Sequence, residues 1–212
     1  MQISWHGFSC FDIQVNQGGQ KASLVIDPYQ NSTGLRLPRT LEAEALASTH
    51  EGIQANNVSA VAGNPFMINQ AGEYEVGGMF FYVIDAPCQG KTSHRIIRLE
   101  AEDMHLAHLG ALNRVLFDEE LKELQNIDIL MVPVGGGTVL SPKMAVEVIS
   151  QIEPRVVIPM FYGLPHISES LSSLEVFCKE FGSSPKEEVT KYKVSRKDLP
   201  EEEMIMVALS HG

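Results

Sequence analysis

The amino-acid sequence predicts a mixed α/β protein, in the α/β or α+β class, whose sheets are covered by helices. Three observations carry this. The first half is a series of short apolar runs punctuated by glycine, the second half alternates buried runs with amphipathic ones, and 212 residues at 44% apolar content are enough for one domain, residues 1–212, with a large core.

The elements follow in order. "ISWHG", "CFDIQV" and "ASLVID" have strand-like content, and Gly18 with Gly19 between the second and third marks a hairpin. "LEAEALA" at 41–47 is the one stretch before residue 112 with helical propensity; strand would have to be imposed there by tertiary context. In "NPFMINQAGEYEVGGMFFYVIDA" the turns are "QAG" and "VGGM", and "SHRIIRLEAEDMHLAHLG" gives two more strands hinged at "EAED". The pattern then changes. "FDEELKELQN" is an amphipathic helix with Asp118 as its cap and Leu121 and Leu124 on one face. "IDILMVPVGG" is a buried strand, "SPKMAVEVISQIEP" a helix with a serine cap and a proline in its first turn, and "RVVIPM" another buried strand. "SLSSLEVFCKEFG" is a helix ending on Gly182, and "GSSPKEE" an exposed loop.

Composition narrows the function classes. Sixteen basic residues against 27 acidic ones give a formal charge of −11, with no local basic patch, so nucleic acid is not an expected partner. No apolar run approaches the roughly 20 residues of a membrane span. The opening "MQISWHGFSCF" runs straight into a strand pattern, and Cys10, Cys88 and Cys178 lack CxxC spacing, so a reduced, cytoplasmic protein away from membranes is expected.

Four polar residues end or interrupt apolar strands: His6, Asp27, His50 and His108. Three imidazoles and a carboxylate at strand ends point to metal or acid–base chemistry, although a lone histidine at a strand end is more often a hydrogen-bonded structural residue than a ligand. Gly135 to Gly137, between a buried strand and a helix start, can cradle an anion on backbone N–H groups, but without Walker or GxGxxG spacing a tight turn explains them better. No GxSxG motif is present, and no cysteine has a histidine close in sequence.

The order of segments is more telling than any one of them. "WHGFSCF", "LVIDP", "STH", "GEYEVGG", "HLGAL", "DILMVPVGG" and "PRVVIPMFY" resemble, over essentially the whole chain, metallo-β-lactamase-fold proteins of the UlaG-like Zn-dependent hydrolase group. The resemblance implies an αββα sandwich of two mixed sheets with outer helices, and a site for two zinc, manganese or iron ions along one edge. In that family the strand-ending threonine or serine is followed by H-x-H-x-D-H. Here His50 holds the first position, but Gly52, Gln54 and Ala55 stand at the next three. Ala111 replaces the aspartate after "HLG", Phe161 the late histidine of "PMH", and Phe8 the second histidine of "WHGHS"; the middle histidine is expected in the loop after "FFYVID", where "APCQGKTS" has none. Asp27 matches the carboxylate that orients a ligand histidine in the family, and a direct Asp27–His50 hydrogen bond is expected to persist.

Zinc needs three or four N, S or O donors at about 2.0–2.3 Å, and a single histidine cannot hold it. The sequence therefore predicts a pseudoenzyme: a degenerate metal site, no cofactor, and a binding, regulatory or assembly role with a small molecule or a protein as partner, in a chain that can self-associate over the old site edge. The alternative is a phosphoester or lactone hydrolase using a remnant pocket of His6, Asp27, His50, Glu51 and His108, with His50 and Glu51 as the best acid–base pair.

Overall fold

The computed structural model describes residues 1–91 and 93–211. The apolar runs become strands: β1 (Gln2–Gly7), β2 (Cys10–Gln17), β3 (Gln20–Ile26), β4 (Leu41–Glu42), β5 (Ala45–Ala47), β6 (Val61–Ala62), β7 (Phe66–Ile68), β8 (Gly72–Val76), β9 (Met79–Asp85), β10 (Arg95–Ala101), β11 (Met104–His108), β12 (Ile129–Pro133), β13 (Val156–Met160), β14 (Glu187–Val189), β15 (Tyr192–Lys193) and β16 (Ile205–Leu209). The helices are α1 (Asp118–Glu123), α2 (Pro142–Ile152) and α3 (Leu174–Phe181).

Two mixed sheets form. The first has the order β15-β1-β2-β3-β5-β7 and the second β14-β16-β13-β12-β11-β10-β9-β8. In β2 alternate residues Phe11, Ile13 and Val15 are buried, the period-two pattern of a strand with one face on a core. Every residue of β12 and β13 is buried, because parallel strands between a facing sheet and a helical layer have no wet side. One large core fills the space between the sheets, and a small second one, Val25, Leu41, Leu46 and Val61, lies where the parallel pair β4–β6 folds over the outside of the first sheet.

Tertiary context overrides propensity at 41–47. Instead of a helix, Leu41–Glu42 pairs with β6, and Ala45–Ala47 sits between β3 and β7 with all three residues buried. Asp118 is not the cap of α1. Phe117 takes that position, and the Glu120 carboxylate folds back to accept its backbone N–H at 2.9 Å. Ser141 does cap α2, its Oγ accepting the Met144 N–H at 3.3 Å, with Pro142 in the first turn. Gly182 closes α3 in the left-handed conformation. Among the described residues no helix is long and apolar enough to cross a membrane.

Parallel strands bring their C-terminal ends to one edge. β3 and β5 end just before Asp27 and Ser48, while β11, β12 and β13 end just before Leu109, Val134 and Phe161. The sheets are stitched together there by Arg95 N–H to Thr49 O (2.7 Å) and Phe161 N–H to Phe8 O (3.0 Å). That edge is where an α/β scaffold can gather side chains from several strands.

Candidate functional site

Phe8, Asp27 and Phe161, all on this edge, have φ of 48°, 49° and 54°. Left-handed backbone at a non-glycine residue costs on the order of 1–3 kcal/mol and persists only where the surroundings over-determine it. Phe161 N–H donates to Phe8 O, Asp27 N–H donates to Ala47 O at 3.0 Å, and the Trp5 indole N–H donates to Phe8 O at 2.9 Å. The strand ends are thus held in a fixed, strained pose around the site.

Asp27 is fully buried. Its Oδ1 accepts the Thr49 backbone N–H at 2.7 Å and its Oδ2 the Thr49 hydroxyl at 2.6 Å. Burial pushes its carboxyl up to about 7, with the Thr49 hydrogen bonds pulling the other way. Thr49 Oγ1 is in turn 2.9 Å from His50 Nδ1, whereas Asp27 Oδ2 is 3.8 Å from that nitrogen. The expected direct Asp27–His50 hydrogen bond is therefore replaced by a hydroxyl-linked chain. Burial, then the neighbouring His94, lowers His50 to about 3, so its ring is neutral at physiological pH.

His94 is the residue that the sequence reading missed. It lies one position beyond the "APCQGKTS" loop taken to hold no histidine, and it pairs with His50 in an isolated antiparallel bridge, the rings 6.4 Å apart. An imidazole therefore does stand just past that loop, across from His50. Extending the search one residue past the loop, to the position just before β10, would have found it. Both of its nitrogens face carbonyls, Nδ1 on Ala86 O at 2.8 Å and Nε2 on Leu109 O at 3.1 Å, and burial lowers it to about 4. His108, fully buried against the edge of Phe11, is similarly occupied: Nδ1 accepts the Gly110 N–H at 3.2 Å and Nε2 donates to Ser9 O at 2.9 Å. Its pKa also falls to about 4 through burial.

Of the residues expected to form a pocket, the structure brings Asp27, His50 and His108 together and sets Glu51, exposed, at the mouth beside His50. His6 lies apart. Its ring is beside His211 and Lys191, and neither of its buried nitrogens has a hydrogen-bond partner. Burial, then His211, lowers it to about 4. The three glycines form the tight turn: Gly136 N–H is taken by Leu140 O, and a Cβ at Gly135 would stand 2.3 Å from Phe161 O.

A cleft of about 450 Å³ opens at the strand ends, lined by His50, Glu51, Gln54, Lys91, Asn113 and Thr138, with Ala111 and Phe161 in its wall. Polar side chains lace the loops around it. The Lys91 ammonium donates to Thr138 O at 2.9 Å, Thr138 Oγ1 to Glu169 at 3.2 Å, and the Gln54 amide to the other oxygen of Glu169. A larger concavity, about 660 Å³, lies over the outside of the first sheet on Gln2, Gln14 and Ser23. It holds no imidazole, so size does not mark the chemically equipped cleft.

The donor set does not fit the dinuclear metal centre that the resemblance implies. Ala55, Ala111, Phe8 and Phe161 stand buried where ligands would be, the nitrogens of His94 and His108 are turned to the backbone, and of these three rings His50 alone lines the cleft. Among the described residues no group of three or more histidine, cysteine, aspartate or glutamate side chains is arranged to hold a metal ion. What the arrangement offers instead is a neutral imidazole tied to a buried carboxylate, an ammonium group, and several amide and hydroxyl groups around a small cleft.

Comparison with known proteins agrees with the architecture. Residues 2–161 match a family described as the beta-lactamase superfamily domain. A UPF0173 protein of Pyrococcus abyssi is 27% identical over 192 residues, spanning 77% of this chain and 84% of its own. A protein of Enterococcus faecalis named UPF0173 metal-dependent hydrolase is 25% identical over 199 residues, 77% of this chain and 87% of its own. The crystal structure of a Thermotoga maritima protein described as a Zn-dependent hydrolase of the metallo-β-lactamase superfamily superposes with a TM-score of 0.80 at 28% identity, covering 98% of this chain and 97% of that one.

Proposed function

This chain belongs to the metallo-β-lactamase superfamily, and from that premise we propose that it is a UlaG-like member whose metal site is degenerate and whose cleft binds a small polar molecule without a metal ion. The observation that carries the reading is the fate of the imidazoles: the nitrogens of His94 and His108 face backbone groups, and of these three rings His50 alone lines the cleft. One nitrogen is too few for zinc, which takes three or four donors. A binding or regulatory role follows, because no group in the cleft can lower the pKa of a water to about 7 as a bound ion does.

Elemental analysis of protein purified without chelators tests this. A metal content far below one equivalent is expected; one or two equivalents of zinc, manganese or iron per chain overturn it.

The Asp27–Thr49–His50 chain favours a second reading, in which His50 acts as a general base on a phosphoester or lactone with Glu51 at the mouth. In that case turnover persists in EDTA and is lost in His50→Ala. Turnover indifferent to that substitution removes the reading.

A further inference from the structure

Thr49 has one hydroxyl proton and stands between two groups that can take it. Its Oγ1 is 2.6 Å from Asp27 Oδ2 and 2.9 Å from His50 Nδ1. The carboxylate cannot rotate to offer another arrangement, because its Oδ1 already accepts the Thr49 backbone N–H at 2.7 Å. An ionised carboxylate only accepts, so the hydroxyl donates to Oδ2, and its oxygen is left to accept from His50. The ring proton of His50 must then sit on Nδ1.

We propose that Thr49 is a positioning residue that locks His50 in the Nδ1–H tautomer, so that the cleft presents a bare imidazole lone pair at Nε2 and selects a ligand that brings a hydroxyl or N–H donor to that atom. A ligand presenting only a carbonyl or ether oxygen there meets a repulsive pair of acceptors. Lys91, on the same cleft wall with its ammonium held by one carbonyl, keeps donors for an oxygen elsewhere on the same molecule. The chemical class this describes is a small hydroxylated or amino-bearing carbonyl compound. Asp27 reaches the ligand only through Thr49 and His50, and therefore acts as a positioning group as well.

His108 supplies an internal contrast. Gly110 N–H donates to its Nδ1 and its Nε2 faces Ser9 O, so the backbone sets it as the opposite tautomer, Nε2–H.

The ligand part of this inference rests on the metal-free reading above; the tautomer does not. Metal analysis reads the first, and long-range ¹H–¹⁵N correlation spectra of the histidine rings read the second, so failure of one is distinct from failure of the other. At mildly alkaline pH, where Asp27 is ionised, the His50 signals, assigned by their loss in His50→Gln, are expected to show a protonated Nδ1 and an unprotonated Nε2. Thr49→Ser keeps that single tautomer. Thr49→Val, which has no hydroxyl, gives a mixture. Asp27→Asn reverses it: the amide oxygen must face the Thr49 N–H, the NH₂ then donates to Oγ1, and the hydroxyl turns its proton onto His50 Nδ1. A wild-type spectrum with the proton on Nε2, a Thr49→Val spectrum identical to wild type, or an unreversed Asp27→Asn spectrum overturns the proposal.

Discussion

Acidification from about pH 8 to about pH 5 sets the buried imidazoles and the buried carboxyl against each other, and the outcome can be worked from their positions. His50, His94 and His108 have folded values of about 3, 4 and 4 against an unfolded value of 6.5. A histidine whose folded pKa is depressed contributes stability that is present above 6.5 and is lost as the pH falls toward the folded value, because the unfolded ring takes up the proton and the buried one does not. Each then costs about 2 kcal/mol at pH 5, or about 6 kcal/mol for the three. Asp27 works the other way: its folded value of about 7 lies above the ordinary 3.8, so the stability it contributes is largest in acid and is lost as the pH rises through 7. Its contribution at pH 5 relative to pH 8 is about 3 kcal/mol. The net expectation is a loss of about 3 kcal/mol on acidification, a large share of a typical domain stability of roughly 5–15 kcal/mol. His6, partly exposed beside His211, acts in the same direction as the other histidines and is discounted for solvent screening. Urea unfolding of wild type and Asp27→Asn at both pH values measures this. The variant lacks the carboxyl's offset and is expected to lose about 6 kcal/mol over the same interval. Wild-type stability that is flat or rises in acid, or an equal loss in both proteins, refutes the reasoning.

The other predictions are simpler. On the metal-free reading proposed above, dialysis against EDTA leaves the thermal unfolding midpoint unchanged within about 1 °C, because a protein without a bound ion loses no binding energy to the chelator; a fall of several degrees, reversed by zinc, contradicts that reading. Ser141→Ala removes the cap accepted by Met144 N–H and costs about 1 kcal/mol in urea unfolding. Gly135→Ala drives a Cβ to 2.3 Å from Phe161 O and costs about 1–3 kcal/mol as the turn and the end of β13 separate; a neutral result means that this turn is looser than its packing implies.

Much of the fold could be read from the chain because hydrophobic period and turn chemistry act locally. Gly18 with Gly19, the "EAED" hinge and the Ser141–Pro142 start all produce their effects within a few residues. The stretch at 41–47 was illegible for the opposite reason: its strands exist only because β3, β6 and β7 supply pairing partners, and propensity knows nothing of partners. At the site, the identities of His50, Asp27 and His108 were visible, but which atoms they offer was not. That Thr49 stands between Asp27 and His50, that His94 faces His50 from just before β10, and that His6 turns toward His211 all follow from strand register and backbone direction. The spacing of residues in sequence cannot report these.

The left-handed turns at Phe8 and Phe161 have a further consequence for the scaffold's capacity to change. The conformational penalty at these corners is already met by main-chain bonds between the two sheets and to the Trp5 indole, and none of it depends on which aromatic group hangs there. An imidazole grafted at either corner, as in Phe8→His or Phe161→His, would enter a backbone already bent to receive it. The chemistry of this rim can accordingly be rewritten without rebending the chain, at the cost of breaking the buried ring contacts that Phe8 makes with Phe161 and Tyr29.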